Sequence, residues 1–244
     1  MKEHCNNHAL RRTLPGSVLG TSLPIWLKVQ SGQSSIIRFS RYTNKYDKRL
    51  RWQNGFQHQA SVCFLCMQIL IELRPYVSLD ELLVSWCFHL HDVPEGLLGR
   101  DVLAPNKTEK DDLDEYSAFR EHFSTLDKTV WVAMHRAYLL QTALKVPRIF
   151  PKDARKIAND LRRHKYFEAL AFQGIQVMDY LYYAEECATR NVVEVLEDVA
   201  SSALPQLDQI AKKLPGFTKT VWTPERRAYF ERYIQRVPTS RRRL

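Results

Sequence analysis

SLDELLVSWCFHLHDVPEG, residues 78–96, is the stretch that decides the fold class of this chain. Ser78 and Glu81 have the spacing of a capping box, in which both side chains bind backbone N–H groups at the start of a helix. The apolar residues that follow lie at helical spacing: Leu82, Leu83, Trp86 and Leu90. The stretch therefore predicts a helix that begins near Ser78 and ends with two polar side chains, His91 and Asp92.

Helical periodicity recurs on both sides of this stretch, and no part of the sequence shows sustained strand alternation. An apolar helix is expected before it, from Gln57 to the Arg74-Pro75 step, because the residue before a proline disfavours helical backbone angles. Two prolines and two glycines predict a loop over 94–105. Helices are then expected from Thr108, and over 127–145, 154–161, 166–187, 192–214 and 224–237. The predicted fold class is all-α, a globular helical bundle.

The predicted domain organisation is one helical body with an extension at each end. Residues 1–40 mix Pro, Gly, Ser and Asn without periodicity, so an N-terminal extension with little regular structure is expected there. Residues 41–238 are expected to form a single helical domain, and residues 239–244 a basic tail.

The composition argues against several classes of protein. Hydrophobic residues make up 45% and charged residues 26% of the chain, which is typical of globular domains. No apolar stretch reaches the roughly 18 residues of a membrane span, and no secretory signal is apparent. The five cysteines are an odd number and fit a reducing compartment, so a cytoplasmic location without a membrane partner is expected. Cys63 and Cys66 form a C-x-x-C without a second pair, and a structural role is expected for both.

A net charge of +9 permits binding to polyanions, but much of the excess lies near the ends of the chain. The residues concerned are Arg11, Arg12, Arg38, Arg41, Lys45, Lys48, Arg49 and Arg51 near the front, and Arg241, Arg242 and Arg243 at the tail. Charge of this kind is more often solvated than part of a binding surface. Nucleic acid is therefore not the expected partner.

His91 and Asp92 lie at the end of the helix that is predicted to begin near Ser78. These two side chains can share a cation, because an imidazole and a carboxylate project from adjacent residues. His58 in the preceding apolar helix and Asp179 in a later one extend this set. A carboxylate inside Ile175-Gln176-Val177-Met178-Asp179-Tyr180-Leu181 is costly to bury unless it is paired or bound to metal. The pattern predicts one buried site assembled from several helices.

The order of these residues resembles the HD-domain phosphohydrolases, and within them the small 5′-nucleotidases that act on deoxyribonucleoside monophosphates. The resemblance covers roughly residues 50–190. It rests on His58-Gln59-Ala60-Ser61, on the run from His91-Asp92 through Glu95, Gly99 and Asp101, on Lys107-Thr108, and on Met178-Asp179-Tyr180.

The resemblance implies an HD-type bundle in which His58, His91, Asp92 and Asp179 hold one divalent metal ion. Manganese or cobalt is the first expectation, and Mg, Zn, Fe or Ni also suit such ligands. It further implies that a metal-activated water attacks the 5′-phosphate of a small nucleotide substrate. Family members also make a homodimer a reasonable expectation.

The remaining roles follow from the same resemblance. Glu95 and Asp101 take the places of the catalytic carboxylates, one acting on the water and the other near the leaving sugar oxygen. Arg51 and Trp52 match a pair that contacts the substrate, and Lys107 is expected to reach a phosphate.

Two other functions stay open at this stage. One is an HD hydrolase of a triphosphate or a signalling nucleotide, although Gly96 stands where alarmone hydrolases have an acidic residue, and the G-Y-P motif of cyclic-di-GMP phosphodiesterases is absent. The other is a basic nucleic-acid-binding or regulatory protein whose HD site is vestigial.

Overall fold

The computed structural model describes residues 18–36, 53–100, 107–190 and 192–236. The helices in these ranges are α1 (Val18–Ser35), α2 (Gly55–Leu73), α3 (Glu81–Leu90), α4 (Val93–Leu98), α5 (Glu109–Phe123), α6 (Lys128–Leu140), α7 (Lys152–His164), α8 (Tyr166–Thr189), α9 (Val193–Lys213), α10 (Phe217–Thr220) and α11 (Pro224–Arg236). No strand occurs in these ranges, so the all-α prediction is confirmed. Three residues with predicted roles, Arg51, Trp52 and Asp101, lie outside the described residues, as does the basic tail.

Two of the central helices begin with side-chain caps. Asn54 accepts a hydrogen bond from the backbone N–H of Gln57, and the Gln57 side chain binds the backbone N–H of Asn54, which together form a capping box for α2. The predicted capping box of α3 at Ser78 is wrong by two residues. Asp80 is the cap and accepts from the N–H of Leu83, while Glu81 instead pairs with Arg74.

The bundle is organised around α8, which packs against α2, α3, α6, α7 and α9. Its residues Ile175, Met178, Leu181 and Ala184 have no solvent exposure. Because this helix is enclosed by others, nearly every turn of it is apolar, as expected for a helix in the core of a bundle. Asp179 is a charged exception in the middle of the helix and is also buried.

α1 lies in the segment that was predicted to have little regular structure. It packs closely on α4, where a Cβ atom on Gly32 would lie only 1.8 Å from the carbonyl oxygen of Gly96. This approach requires glycine, since any side chain at residue 32 would collide with backbone atoms. Pro24 and two glycines hid the helix from a periodicity analysis, because α1 has no sharply apolar face.

α4 occupies the start of the predicted loop. Residues Val93–Leu98 form a short helix with Pro94 in its first turn, where a proline is well tolerated, and the helix ends at Gly99 with φ of 69°. The prediction of a loop is therefore wrong for residues 94–98. Among the described residues, no helix combines the length and apolar character needed to cross a membrane.

Candidate metal centre

Three helices bring the polar cluster together inside the bundle. α2 supplies His58, the end of α3 supplies His91 and Asp92, and α8 supplies Asp179. Each of the four is at most 5% exposed. Buried ionisable groups are rare unless they are paired or bound to a cation, so the cluster is the first candidate for a functional site.

The four side chains form a chain of short contacts. Asp92 lies between the two imidazoles, with its Oδ1 atom 3.1 Å from His91 Nε2 and its Oδ2 atom 3.2 Å from His58 Nε2. On the other side of the His58 ring, Nδ1 lies 2.9 Å from Asp179 Oδ2. The carboxylates and imidazoles therefore alternate.

The tautomer of His91 follows from its surroundings. Its Nδ1 lies 2.9 Å from the carbonyl oxygen of Phe88, which can only accept a hydrogen bond. Nδ1 must then carry a proton, and Nε2, on the Asp92 side of the ring, is the atom that a metal ion could bind. This arrangement is common for metal-binding histidines, because the bond to the carbonyl fixes both tautomer and ring orientation.

Asp179 holds a different position from the other three residues. Ligand atoms of His58, His91 and Asp92 all lie within 4.8 Å of one another, close to the span of about 4.2 Å set by two metal bonds of about 2.1 Å. Asp179 contacts the opposite nitrogen of His58 and also accepts a hydrogen bond from Ser61 Oγ at 3.1 Å. In this arrangement it can orient His58, and a role as fourth ligand stays a prediction.

Aromatic rings enclose the two imidazoles. Tyr180 stacks on His58 with ring centroids 5.8 Å apart, and Phe88 and Phe172 each meet His91 edge-on at 5.7 Å. Such packing restricts the rotamers of both histidines and lowers the local dielectric constant. The cluster is therefore held rigidly before any ligand binds.

The donor set fits a divalent cation. One buried atom that faces the cluster, His91 Nε2, makes no hydrogen bond. Two carboxylates placed among imidazole nitrogens also concentrate negative charge in a low-dielectric interior, which a cation would offset. Imidazole and carboxylate together suit several transition metals as well as magnesium.

Glu95 follows Asp92 by three residues, and its charge acts on Lys107. Glu95, in the first turn of α4, is 6% exposed. Lys107 pairs with the buried carboxylate of Glu115, with 2.6 Å between Nζ and Oε2, and with Asp112 at 3.6 Å. Burial lowers the pKa of Lys107, but the negative charges of Glu115, Asp112 and Glu95 outweigh it and hold that pKa above its usual value. Lys107 therefore stays charged near Glu95.

Sequence reasoning missed three residues that shape the site. Gln33 of α1 donates from Nε2 to the backbone oxygen of Asp92 at 3.3 Å, Ser61 binds Asp179, and Glu115 holds Lys107. Ser61 lies one helical turn after His58 and could have been found from that spacing. The Gln33–Asp92 contact joins distant parts of the chain, and the Lys107–Glu115 pair spans eight residues without the spacing of neighbours on a helix, so neither left a local signal.

The two cysteines of the C-x-x-C sequence take no part in the cluster. Burial, followed by the negative charges of Asp92 and Asp179, raises the pKa of Cys63 to about 11. Burial likewise raises the pKa of Cys66 to about 12. Both thiols are therefore protonated near neutral pH, which disfavours a redox or ligand role.

Comparison of the chain with protein-family models, with curated proteins and with solved structures gives no match. The fold and the site together define an all-helical bundle with a buried His–His–Asp group that could hold a metal ion.

Proposed function

We propose that this protein is a metal-dependent phosphohydrolase that removes the 5′-phosphate of nucleoside or deoxynucleoside monophosphates, with water as the nucleophile. The observation that carries the proposal is the buried contact of His58, His91 and Asp92, with Asp179 behind His58. The order of these residues along the chain, which resembles the HD-domain hydrolases, supplies the reaction class.

His58 and His91 would hold the metal through Nε2, and Asp92 through its carboxylate. Asp179 would either bind the metal directly or keep His58 in the required tautomer. A divalent ion bound there supplies a Lewis acid for the phosphoryl oxygens and lowers the pKa of a bound water. Manganese or cobalt is the first choice, and magnesium, zinc, iron or nickel is compatible with the same donors.

The neighbouring charged residues fit the needs of phosphoryl transfer. Glu95 would orient the attacking water or take its proton, since a buried carboxylate near the reaction is suited to either task. The ammonium group of Lys107 supplies positive charge for phosphate oxygens. Asp101 would protonate the leaving 5′-oxygen, while Arg51 and Trp52 would contact the nucleotide. These three assignments rest on the sequence.

Phosphate release from a panel of nucleotides tests the proposal directly. The panel contains nucleoside mono- and triphosphates and cyclic dinucleotides, and Mn, Co, Mg and Zn are each added after chelation. Asp92→Ala and Asp179→Ala are compared with Asp160→Ala, which removes a surface carboxylate that pairs with Arg136. Metal content is measured on the same samples.

Metal-dependent release from monophosphates that Asp92→Ala abolishes and Asp160→Ala retains would support the proposal. Release only from triphosphates or cyclic dinucleotides would keep the hydrolase class but change the substrate. If no metal binds and no nucleotide is hydrolysed, the buried cluster is a structural network, and the vestigial-site alternative is the better account.

A further inference from the structure

The outer side of α2 carries an apolar stripe, formed by Phe56, Ala60, Phe64, Met67 and Ile71. All five are exposed, and Phe64 is 68% exposed. Their spacing of three or four residues places them along one side of the helix. A helix side of this kind normally faces a core, but here it faces outward.

The same side lacks the charges that a solvated surface usually has. From Gly55 to Ile71 the helix contains no Asp, Glu, Lys or Arg, although the whole chain has a net charge of +9. Depletion of charge together with exposed aromatic residues and methionine is typical of the centre of protein interfaces.

α3 continues the apolar surface beside the stripe. Leu82 is 69% exposed and Trp86 is 42% exposed. With the stripe they present roughly 600 Å² of apolar surface, given about 200 Å² for each large side chain. That area reaches the upper limit of the largest patch on a typical monomer and approaches the about 800 Å² that each partner contributes to a standard interface. A groove of about 430 Å³ opens on this surface beside Phe56 and Trp86.

The order of residues in the stripe indicates what covers it. Phe56 and Ile71 lie equally far from the midpoint between residues 63 and 64, and so do Ala60 and Met67. If a second α2 packs antiparallel about this midpoint, Ala60 lies opposite Met67 of the other copy, and Phe56 lies opposite Ile71. A small side chain then meets a large one, and Phe64 lies next to its own counterpart.

A two-fold symmetric interface must be complementary to itself, because the same patch serves both partners. The stripe meets this condition in its spacing, in its pairing of small with large residues and in its lack of charge. We infer that the outer side of α2, together with Leu82 and Trp86, binds a second copy of this chain in an antiparallel α2–α2 contact.

The oligomeric state of the full chain tests this inference. Molar mass is measured by light scattering and sedimentation over a dilution series of the wild type, F64E, F64K and V132E. Val132 is an exposed apolar residue of α6 outside the stripe of α2, so V132E controls for adding a charge to an exposed helix. Circular dichroism confirms that each variant is folded.

The wild type and V132E are expected to form dimers, and F64E is expected to raise the dissociation constant at least about a hundredfold, because like charges then face each other near the two-fold axis. Mixing F64E with F64K should restore a dimer, since opposite charges then meet. A wild type that is monomeric throughout, as when another segment or another protein covers the stripe, overturns the inference. An F64E variant that dimerises as well as V132E also overturns it.

Discussion

His135 gives the clearest link between a side chain in this fold and the pH dependence of stability. Its ring is buried in the α5–α6 contact, stacked on Trp131 with centroids 4.4 Å apart, and its Nε2 lies 3.2 Å from the Tyr116 hydroxyl. Burial, with a smaller contribution from Arg120, lowers the pKa of His135 from 6.5 to about 4. The folded state therefore favours the neutral ring.

Because the pKa of His135 is lower in the folded state than in the unfolded state, acid destabilises the fold. Between pH 6.5 and about 4 the unfolded chain binds a proton at His135 that the folded chain does not, so stability falls as the pH falls. If the whole pKa shift contributes, the free energy of unfolding is about 2 kcal/mol lower at about pH 5 than at neutral pH. Residual solvent screening reduces this to between about 1 and 2 kcal/mol.

Replacing His135 with phenylalanine removes the titration and keeps a ring of similar size. Denaturant unfolding is measured with chelator at about pH 7.5 and about pH 5 for wild type, His135→Phe and His164→Phe. Near neutral pH, His135→Phe should be about 1 kcal/mol less stable, because Tyr116 loses its partner. Between the two pH values the wild type should lose about 1 to 2 kcal/mol more than His135→Phe, and the exposed His164→Phe should follow the wild type.

Other histidines and carboxylates titrate in the same range, but they are present in both proteins and cancel in the difference. If the unfolding free energies of wild type and His135→Phe stay parallel from neutral to acidic pH, His135 does not have a lowered pKa, and the reasoning from its burial is wrong.

Three further predictions concern the site and its supports. Gly32→Ala should destabilise the protein by about 1 to 3 kcal/mol despite the better helix propensity of alanine, because the new Cβ collides with Gly96. Ser31→Ala should have little effect, and thermal unfolding measures both variants. Asp92→Asn should weaken manganese binding, measured by calorimetry, more than Asp179→Asn does. The amide oxygen of Asp179→Asn can still accept a hydrogen bond from His58. Equal losses of manganese affinity in the two variants would instead support Asp179 as a ligand. Lys107→Met should cost about 2 kcal/mol in denaturant unfolding by leaving Glu115 buried without its cation, and Lys110→Met, at an exposed position of α5, should cost almost nothing.

The sequence allowed the helices to be predicted where an apolar side repeats over several turns. α8 and α9 begin and end within two residues of their predicted limits, since burial of a whole helix requires such a repeat. α1 was missed because it packs through Gly32 and Gly96, and glycine contributes no hydrophobic signal. The spacing of Ser78 and Glu81 predicts the wrong cap for α3, because Asp80 is also a good capping residue and the outcome depends on which backbone N–H groups point toward the side chain.

The burial cost of these polar residues and the resemblance to the HD-domain hydrolases predict that His58, His91 and Asp92 share one site, and the structure brings them together. This worked because His91 and Asp92 leave the same helix end, so only one long-range contact had to be inferred. The contact of Gln33 could not be inferred, because its partner Asp92 lies far away in the chain, and the Lys107–Glu115 pair lacks the three- or four-residue spacing of neighbours on a helix. The position of Asp179 on Nδ1 of His58, rather than beside Asp92, likewise depends on how α8 is rotated about its axis.

The charge of the cluster connects the fold to its proposed chemistry. Asp92 and Asp179 would carry two negative charges in a region that imidazoles and aromatic rings enclose, and such charges are costly unless a cation offsets them. One divalent ion would balance both. Since the ion would bind the folded chain and not the unfolded one, saturation at about a hundred times its dissociation constant should add about 2.7 kcal/mol of stability. Metal-dependent stabilisation that Asp92→Ala abolishes and Asp160→Ala retains would place the ion in the cluster, so unfolding of these variants with and without metal locates it independently of any activity.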